Sequence, residues 1–425
     1  MLSEKGNKVL YNEETVQELT VVPNKMQMAF IKTKPEPTTA FFVEGEYMYT
    51  PRFYNKSKEQ QWRPTKKATF HFKGALREYQ KKPIKESIKE LQNNGSMILS
   101  LGTGGGKTCM ALYIMAVLGM KTLIIVNKEI LLDQWVERIN QFIYPPPKIG
   151  IIQGKNATMG PESIHIAMLQ TISKKEISYN HSFMILDECH NVATKSFSNA
   201  FKYVACKYQL GLSATPTRAD GLTKVLKWYL GDIKNFKRDE ISTNLKKVLA
   251  ISYINPYPEI KIGKDVHFSL MLSKMAKDKK RTAIIVAQIG LQMKNGYILV
   301  LSDRIAQLQA IHKILGSEIS VIYAGKLGKN KAAVLELAKT KRVLLSTYAM
   351  VSEGVDIPHL NILIFATPRS NVTQSVGRIG RKSQNCLLID VVDRYEYTER
   401  QLIKREMIYK QLGYDKTKRV GVKIS

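Results

Sequence analysis

Acidic residues are scarce in this chain: 36 aspartates and glutamates stand against 65 lysines and arginines in 425 residues, for a formal charge of +29 and a pI near 9.7. Such a field attracts polyanions, although a uniformly basic solvated surface would carry the same total. The excess is spread along the chain. Small clusters occur at Lys277 to Arg281 and Lys416 to Arg419, and no run forms a basic tail, which suits a groove crossing several elements. Cysteine is also rare, at positions 109, 189, 206 and 386. With no repeated short spacing, these four exclude a disulfide framework and a zinc ribbon, and a reduced intracellular compartment is expected. Long apolar runs are missing as well: no stretch reaches transmembrane length, and Met1 to Lys8 lacks the apolar core of a signal peptide. With 44% hydrophobic and 24% charged residues, the expectation is a soluble folded protein.

What is present in quantity is local. Ser96 to Leu101 reads as an apolar strand, and Gly102-Thr103-Gly104-Gly105-Gly106-Lys107-Thr108 follows it into an apolar helix that Gly119 can stop. This is the pattern of a phosphate-binding loop. Glycines let successive N–H groups turn inward, the helix start adds unpaired donors, Lys107 adds a full charge and Thr108 can hold Mg²⁺. The strict pattern wants glycine at position 101, where leucine stands. Read alone, the stretch is also compatible with a glycine-rich turn.

Residues 1–68 carry prolines at 23, 35, 37, 51 and 64 and suggest no chemistry, only an accessory domain or a strap. A helical pattern then opens at Leu76, and its Gln80 can read an adenine edge or simply face solvent. Thr122 to Val126, Ile149 to Ile152 and Ile164 to Met168 look like parallel-sheet strands, and Thr171 follows the last of them. There it can touch a nucleic-acid phosphate or cap the next turn. Ser182 to Leu186 is an apolar strand that delivers Asp187 and Glu188 side by side, followed by Cys189 and His190. In Mg²⁺-ATP chemistry Asp187 holds the metal, Glu188 deprotonates the attacking water and His190 bridges to whatever senses the γ-phosphate. A further strand ends in Ser213 and Thr215, which can relay hydrogen bonds from the acidic box or form an ordinary strand-end turn.

The second half repeats the alternation without a phosphate loop of its own. Leu222 to Asn244 reads as a lysine-rich connection, Val248 to Tyr253 as a strand and Ser273 to Lys294 as one long basic helix. Buried strands are expected at Tyr297 to Leu301, Val321 to Tyr323, Arg342 to Ser346, Ile362 to Phe365 and Cys386 to Asp390.

Four motifs, GTGGGKT, DECH, SAT and Gln374-Ser375-Val376-Gly377-Arg378-Ile379-Gly380-Arg381, resemble motifs I, II, III and VI of superfamily 2 DExH helicases in order and spacing. Within that superfamily the chain looks like the XPB-related branch, and most like the vaccinia-type transcript-release DNA helicases of large DNA viruses. Leu101, the DECH box, and the run from Gly211 to Gly221 continuing into Trp228-Tyr229-Leu230-Gly231 carry this finer resemblance. The branch has Arg-Glu-Asp where this chain has Arg218-Ala219-Asp220, and motif VI often has a basic residue at the Ser375 position.

The resemblance implies an α/β protein of two tandem RecA-like domains with a small N-terminal accessory region. The boundaries are 1–68 accessory, 69–221 first RecA-like domain, 222–244 linker and 245–425 second RecA-like domain. It implies ATP and Mg²⁺ as cofactors, with Lys107, Asp187, Glu188, His190, Arg378 and Arg381 catalytic. Nucleotide would contact Gln80, Thr103, Gly104, Gly105, Gly106, Lys107, Thr108, Gly354 and Asp356, and metal would contact Thr108 and Asp187. Thr171 and Thr347 would touch nucleic acid, and Ser213, Thr215 and Gln374 would couple the sites. Arg378 and Arg381, three apart, are expected on one helical face as arginine fingers. The implied activity is an ATP-dependent DNA helicase or translocase acting in transcription or repair, without a membrane partner, in host cytoplasm and virion if viral. An RNA helicase and an ATP-gated nucleic-acid-binding module are the competing readings.

Overall fold

The computed structural model describes residues 6–23, 37–54, 64–155, 160–175, 179–191, 199–201, 204, 206–218, 220–237, 245–263, 265–325, 327, 330–352, 357, 359–380 and 385–421. The chain divides into two compact units, Met1–Glu240 and Ile241–Ser425.

In the first unit a small antiparallel sheet joins β1 (Asn7–Leu10), β2 (Phe42–Glu44) and β3 (Tyr47–Thr50), with β3 in the middle. Its neighbours Leu19, Val21, Ala40, Met48 and Tyr54 share one apolar cluster with Ile98, Leu123 and Ile125 of the main sheet. Among the described residues, the buried apolar side chains of the N-terminal region enter the core of the main sheet, so this part is a strap on the main body.

The main sheet is wholly parallel. Its elements are α1 (Glu78–Asn94), β4 (Ser96–Leu101), α2 (Lys107–Leu118), β5 (Thr122–Val126), α3 (Glu129–Phe142), β6 (Ile149–Ile152), β7 (Ile164–Met168), β8 (Phe183–Leu186), β9 (Tyr208–Ser213), α4 (Thr223–Leu230) and β10 (Ile233–Phe236). The strand order is β6-β7-β5-β8-β9-β4-β10. Alternate residues of each strand enter opposite cores: Met97, Leu99, Ile124 and Ile185 pack beneath α1, α2 and α3, while Ile98, Leu123 and Met184 meet α4 and the N-terminal strap.

The stretch 222–244, expected as a linker, is in part structural. Val225, Leu226 and Leu230 bury one stripe of α4, and β10 pairs in parallel with β4 as the seventh strand. Lys224 and Lys227 lie on the solvent side of this amphipathic helix.

The second unit contains β11 (Lys246–Tyr253), α5 (Phe268–Lys277), α6 (Lys279–Gln292), β12 (Tyr297–Leu301), α7 (Ile305–Leu315), β13 (Ser320–Tyr323), α8 (Lys331–Thr340), β14 (Val343–Ser346), α9 (Tyr348–Ser352), β15 (Leu360–Phe365), α10 (Thr373–Val376), β16 (Cys386–Asp393), α11 (Glu396–Gln411) and β17 (Lys418–Gly421). Its parallel sheet runs β13-β14-β12-β15-β16-β11-β17. Numbered along the chain within each sheet, both sheets have the order third, fourth, second, fifth, sixth, first, seventh. The two units are two copies of one topology, the tandem RecA-like fold.

Two expectations for this unit are corrected. The single helix over Ser273 to Lys294 is two, because Asp278 ends α5 and its side chain caps α6 by accepting from Arg281 N at 3.1 Å. Arg281, counted among surface charges, is fully buried and donates from Nε and Nη2 to Asp393 at 2.8 and 2.9 Å. A buried guanidinium needs such a fork of carboxylate oxygens to offset its desolvation.

Candidate ATP site

β4 and β8 end at the same edge of the first sheet with β9 between them, so the phosphate loop, the acidic box and Ser213 are brought together by topology alone. The loop turns through two left-handed glycines, Gly104 at φ 78° and Gly106 at φ 79°. Leu101, the departure from the strict pattern, is accommodated within the loop. A Cβ on Gly105 would stand 2.5 Å from Leu101 Cδ2, so the leucine side chain occupies the space that glycine at 105 leaves.

Lys107 opens α2, and its ammonium donates to Leu101 O at 2.9 Å, across the loop. Thr108 follows in the first helical turn, half-buried. Thr103 Oγ1 is buried without a hydrogen-bond partner. Gln80 is buried: its Oε1 accepts from Arg77 N at 2.9 Å and its Nε2 donates to Gly105 O at 3.3 Å. Both ends of this amide hold protein backbone, so in this structure Gln80 ties α1 to the phosphate loop.

Asp187 is 7% exposed and both its oxygens are engaged. Oδ1 accepts from Glu188 N at 2.9 Å and Oδ2 accepts from Trp135 Nε1 at 2.8 Å. Burial pushes its carboxyl up to about 6 and the neighbouring Glu188 charge adds to that, while the Trp135 hydrogen bond and Lys107 pull the other way. Glu188 sits at φ 48°, the positive-φ residue other than glycine among the described residues, a conformation that costs about 1 kcal/mol and turns its side chain sharply off the strand. Glu188 Oε2 lies 3.3 Å from His190 Nδ1.

His190 Nδ1 also lies 2.9 Å from Ser213 Oγ, which accepts from Thr215 N at 3.1 Å. Its imidazole is pushed down to about 4 by burial first and then by Arg218 and Lys107, so it is neutral at pH 7. Arg218 donates to His190 O and forks onto Asp220, which joins the strand-end turn to the acidic box. Ser213 thus meets the acidic box directly through His190, and Thr215 is joined to it only through Ser213.

Thr171 is buried, and its hydroxyl accepts from Gly154 N at 3.0 Å, a bond that links the loops after β6 and β7 and is not a cap on the following turn. In the second unit, Thr347 accepts from Met350 N at 3.3 Å, and Gln374 lies half-buried in α10. Arg378 is not on a helical face: α10 ends at Val376, and Arg378 lies in the following turn with its N–H on Ser375 O at 3.1 Å. Gly377 caps the single turn in right-handed geometry, and Gly380 turns left-handed at φ 73° further along. Gly354, Asp356 and Arg381 lie outside the described residues.

Sequence reasoning missed Trp135, although its apolar stripe with Leu132 and Ile139 was legible. A buried indole N–H needs an acceptor, but nothing in the chain order tells that the acceptor is Asp187.

Two family models match. Residues 73–218 fit the res subunit of type III restriction enzymes, and residues 279–383 fit the helicase conserved C-terminal domain, together more than half of the chain. The chain is a superfamily 2 helicase. A protein of Acanthamoeba polyphaga mimivirus that carries the name ATP-dependent RNA helicase is 31% identical, over 91% of this chain and 80% of its own. The DNA 3'-5' translocase XPB2 of Sulfurisphaera tokodaii is 26% identical over 75% of this chain and 82% of its own. The fold is shared with S. cerevisiae Dbp5 bound to RNA and ADP BeF3, at TM-score 0.60 and 16% identity, covering 82% of this chain and 94% of that one. As an ATP-dependent helicase it belongs to a class that hydrolyses ATP and binds nucleic acid. Among the described residues, no helix is long and apolar enough to cross a membrane.

Proposed function

We propose that this helicase is a DNA-dependent ATPase that moves along a strand, of the vaccinia-type transcript-release branch, acting in transcription or repair. The observation that carries the motor reading is the contact from His190 Nδ1 to Ser213 Oγ, which ties the hydrolytic box to the end of the strand beside the phosphate loop. The similarity to a DNA translocase supports DNA. The similarity to a protein named for RNA supports an RNA helicase as the second reading.

In this reading Lys107 and the N–H groups of residues 103–108 bind the β- and γ-phosphates, and Glu188 orients and deprotonates the attacking water. Magnesium would be held by Thr108 and Asp187. The fit rests on hard oxygen donors: one hydroxyl, one carboxylate, and phosphate oxygens brought by the nucleotide. Among the described residues no group of three or more His, Cys, Asp or Glu forms a metal cage, so the ion would arrive with ATP. When bound, it neutralises charge developing on the phosphates.

Arg378 and Arg381 would reach the γ-phosphate from the second domain, with Gly354 and Asp356 near the nucleotide. Thr171 and Thr347 would grip strand phosphates, and Gln374 would couple the two events. Contacts of this kind, made only while the γ-phosphate is present, would let the nucleotide state govern the grip on the strand. A grip on phosphate and sugar is largely independent of base sequence and weakens with salt. The first domain of this scheme extends past the expected limit at 221 to take in α4 and β10, and the second begins at 245. A strand-displacement assay with 5' and 3' tails, on DNA and on RNA, tests it. Displacement of DNA with one tail polarity supports the proposal, and displacement of RNA alone favours the second reading. Strand binding with little ATP turnover and no displacement would favour an ATP-gated binding module.

A further inference from the structure

α3 begins directly after the loop at the end of β5, and its first turn is tied to two other strand ends. Gln170 Nε2 donates to Asn127 O at 2.8 Å, and Gln153 Nε2 donates to Glu129 Oε1 at 2.6 Å. Asn127, Gln153 and Gln170 therefore lie at one sheet edge, next to Thr171, where open α/β sheets present ligand-binding loops. Less than two turns further along the same helix, Trp135 is 1% exposed, and its indole N–H reaches Asp187 Oδ2 at 2.8 Å. A rigid helix thus runs from that edge to the acidic box, and its far contact is a charge-assisted hydrogen bond in a buried site.

We propose that Trp135 is the positioning residue of the magnesium carboxylate, and that through α3 it conveys strand binding at the β5 and β7 loops to the ATP site. The inference rests on the ATP-site reading above and deepens it. Asp187 has two oxygens, and Glu188 N takes the first. The indole fixes the second, so the plane of the carboxylate is set before any ion arrives. Outer-sphere donors of this kind typically change metal affinity by about 10- to 100-fold when removed. A tryptophan serving only to fill the core would leave the metal-dependent part of nucleotide binding untouched.

The test measures ADP affinity by calorimetry with and without Mg²⁺, and again with a single-stranded DNA or RNA oligonucleotide. Wild type is compared with Trp135→Phe and with a variant carrying 3-benzothienylalanine at 135, which keeps both rings and deletes only the N–H. In wild type, Mg²⁺ tightens ADP by about tenfold or more, and oligonucleotide tightens Mg·ADP further. In both variants, Mg²⁺-free ADP affinity stays within about twofold, as expected of a group acting only through the metal's carboxylate, while the Mg²⁺ and oligonucleotide gains shrink to about threefold or less. Full retention of the Mg²⁺ gain in the benzothienyl variant overturns the inference. Absence of any Mg²⁺ gain in wild type overturns the ATP-site reading itself, a distinct result.

Discussion

His190 Nδ1 stands 2.9 Å from Ser213 Oγ, joining the third position after Asp187 to the last residue of the neighbouring strand. Because Ser213 Oγ already accepts from Thr215 N, its proton is free to go to the neutral imidazole. Ser213→Ala removes this bond without touching phosphate loop or acidic pair. Hydrolysis is expected to stay within about threefold of wild type while strand displacement falls about tenfold or more, the scale of losing one buried hydrogen bond. Parallel ATPase and displacement assays check it, and equal loss of both would return Ser213 to a structural role.

Lys107→Ala and Glu188→Gln are expected to abolish turnover by different routes. The lysine variant is expected to lose nucleotide affinity with it, whereas the glutamine variant is expected still to bind ATP, since the proposed role of Glu188 is to activate water and not to form the cradle. Arg378→Ala should lower hydrolysis by about three to five powers of ten if it acts as arginine fingers do. A change below tenfold would exclude that role. Single-turnover kinetics and nucleotide-binding isotherms separate the three.

The leucine at position 101 and the glycine at 105 form a steric pair. Gly105→Ala would set a Cβ 2.5 Å from Leu101 Cδ2 and is expected to cost about 1 to 3 kcal/mol and distort the loop. Leu101→Ala should cost about 2 to 5 kcal/mol through its cavity. The double variant should be more stable than the sum predicts by about 1 kcal/mol or more, since each change relieves the other. Denaturation of the four proteins in one buffer gives this coupling.

At the opposite edge of the first sheet His165 and His181 are both buried, with ring nitrogens 3.0 Å apart. His181 is pushed down to about 2, by burial first and then by His165, Lys121 and Lys66. His165 is also lowered, by burial first and then by Lys121, with Glu162 opposing. His181 stays neutral in the native state while the unfolded chain takes up a proton near pH 6.5, so its contribution to stability is full above that pH and is lost as pH falls; the lowering of His165 acts in the same direction. The expected slope is about 1.4 kcal/mol per pH unit for His181. His181→Gln should flatten the fall in unfolding midpoint between pH 6.5 and 5. An unchanged slope would assign the acid lability to other groups.

Much of the fold was legible because parallel strands buried on both faces are written as unbroken apolar runs, as in Thr122 to Val126 and Ile362 to Phe365. The phosphate loop and acidic pair were legible because their chemistry fixes residue type and order. What escaped depended on contacts distant in sequence. Trp135 and Asp187 are 52 residues apart, and Arg281 and Asp393 are 112 apart, so neither pairing leaves a local signature. Asp278 broke a helix whose apolar periodicity ran on through it, because capping is decided by one side chain. Gln80, expected to read an adenine edge or to face solvent, is buried, and its amide is used on backbone groups that no spacing rule reveals.

The most direct measurement of the central claim is the steady-state ATPase rate of the intact chain, with and without single-stranded polynucleotide at low salt. The account predicts a rise of about tenfold or more on addition of strand, reversed by raising the salt. Equal rates in its presence and absence would contradict it.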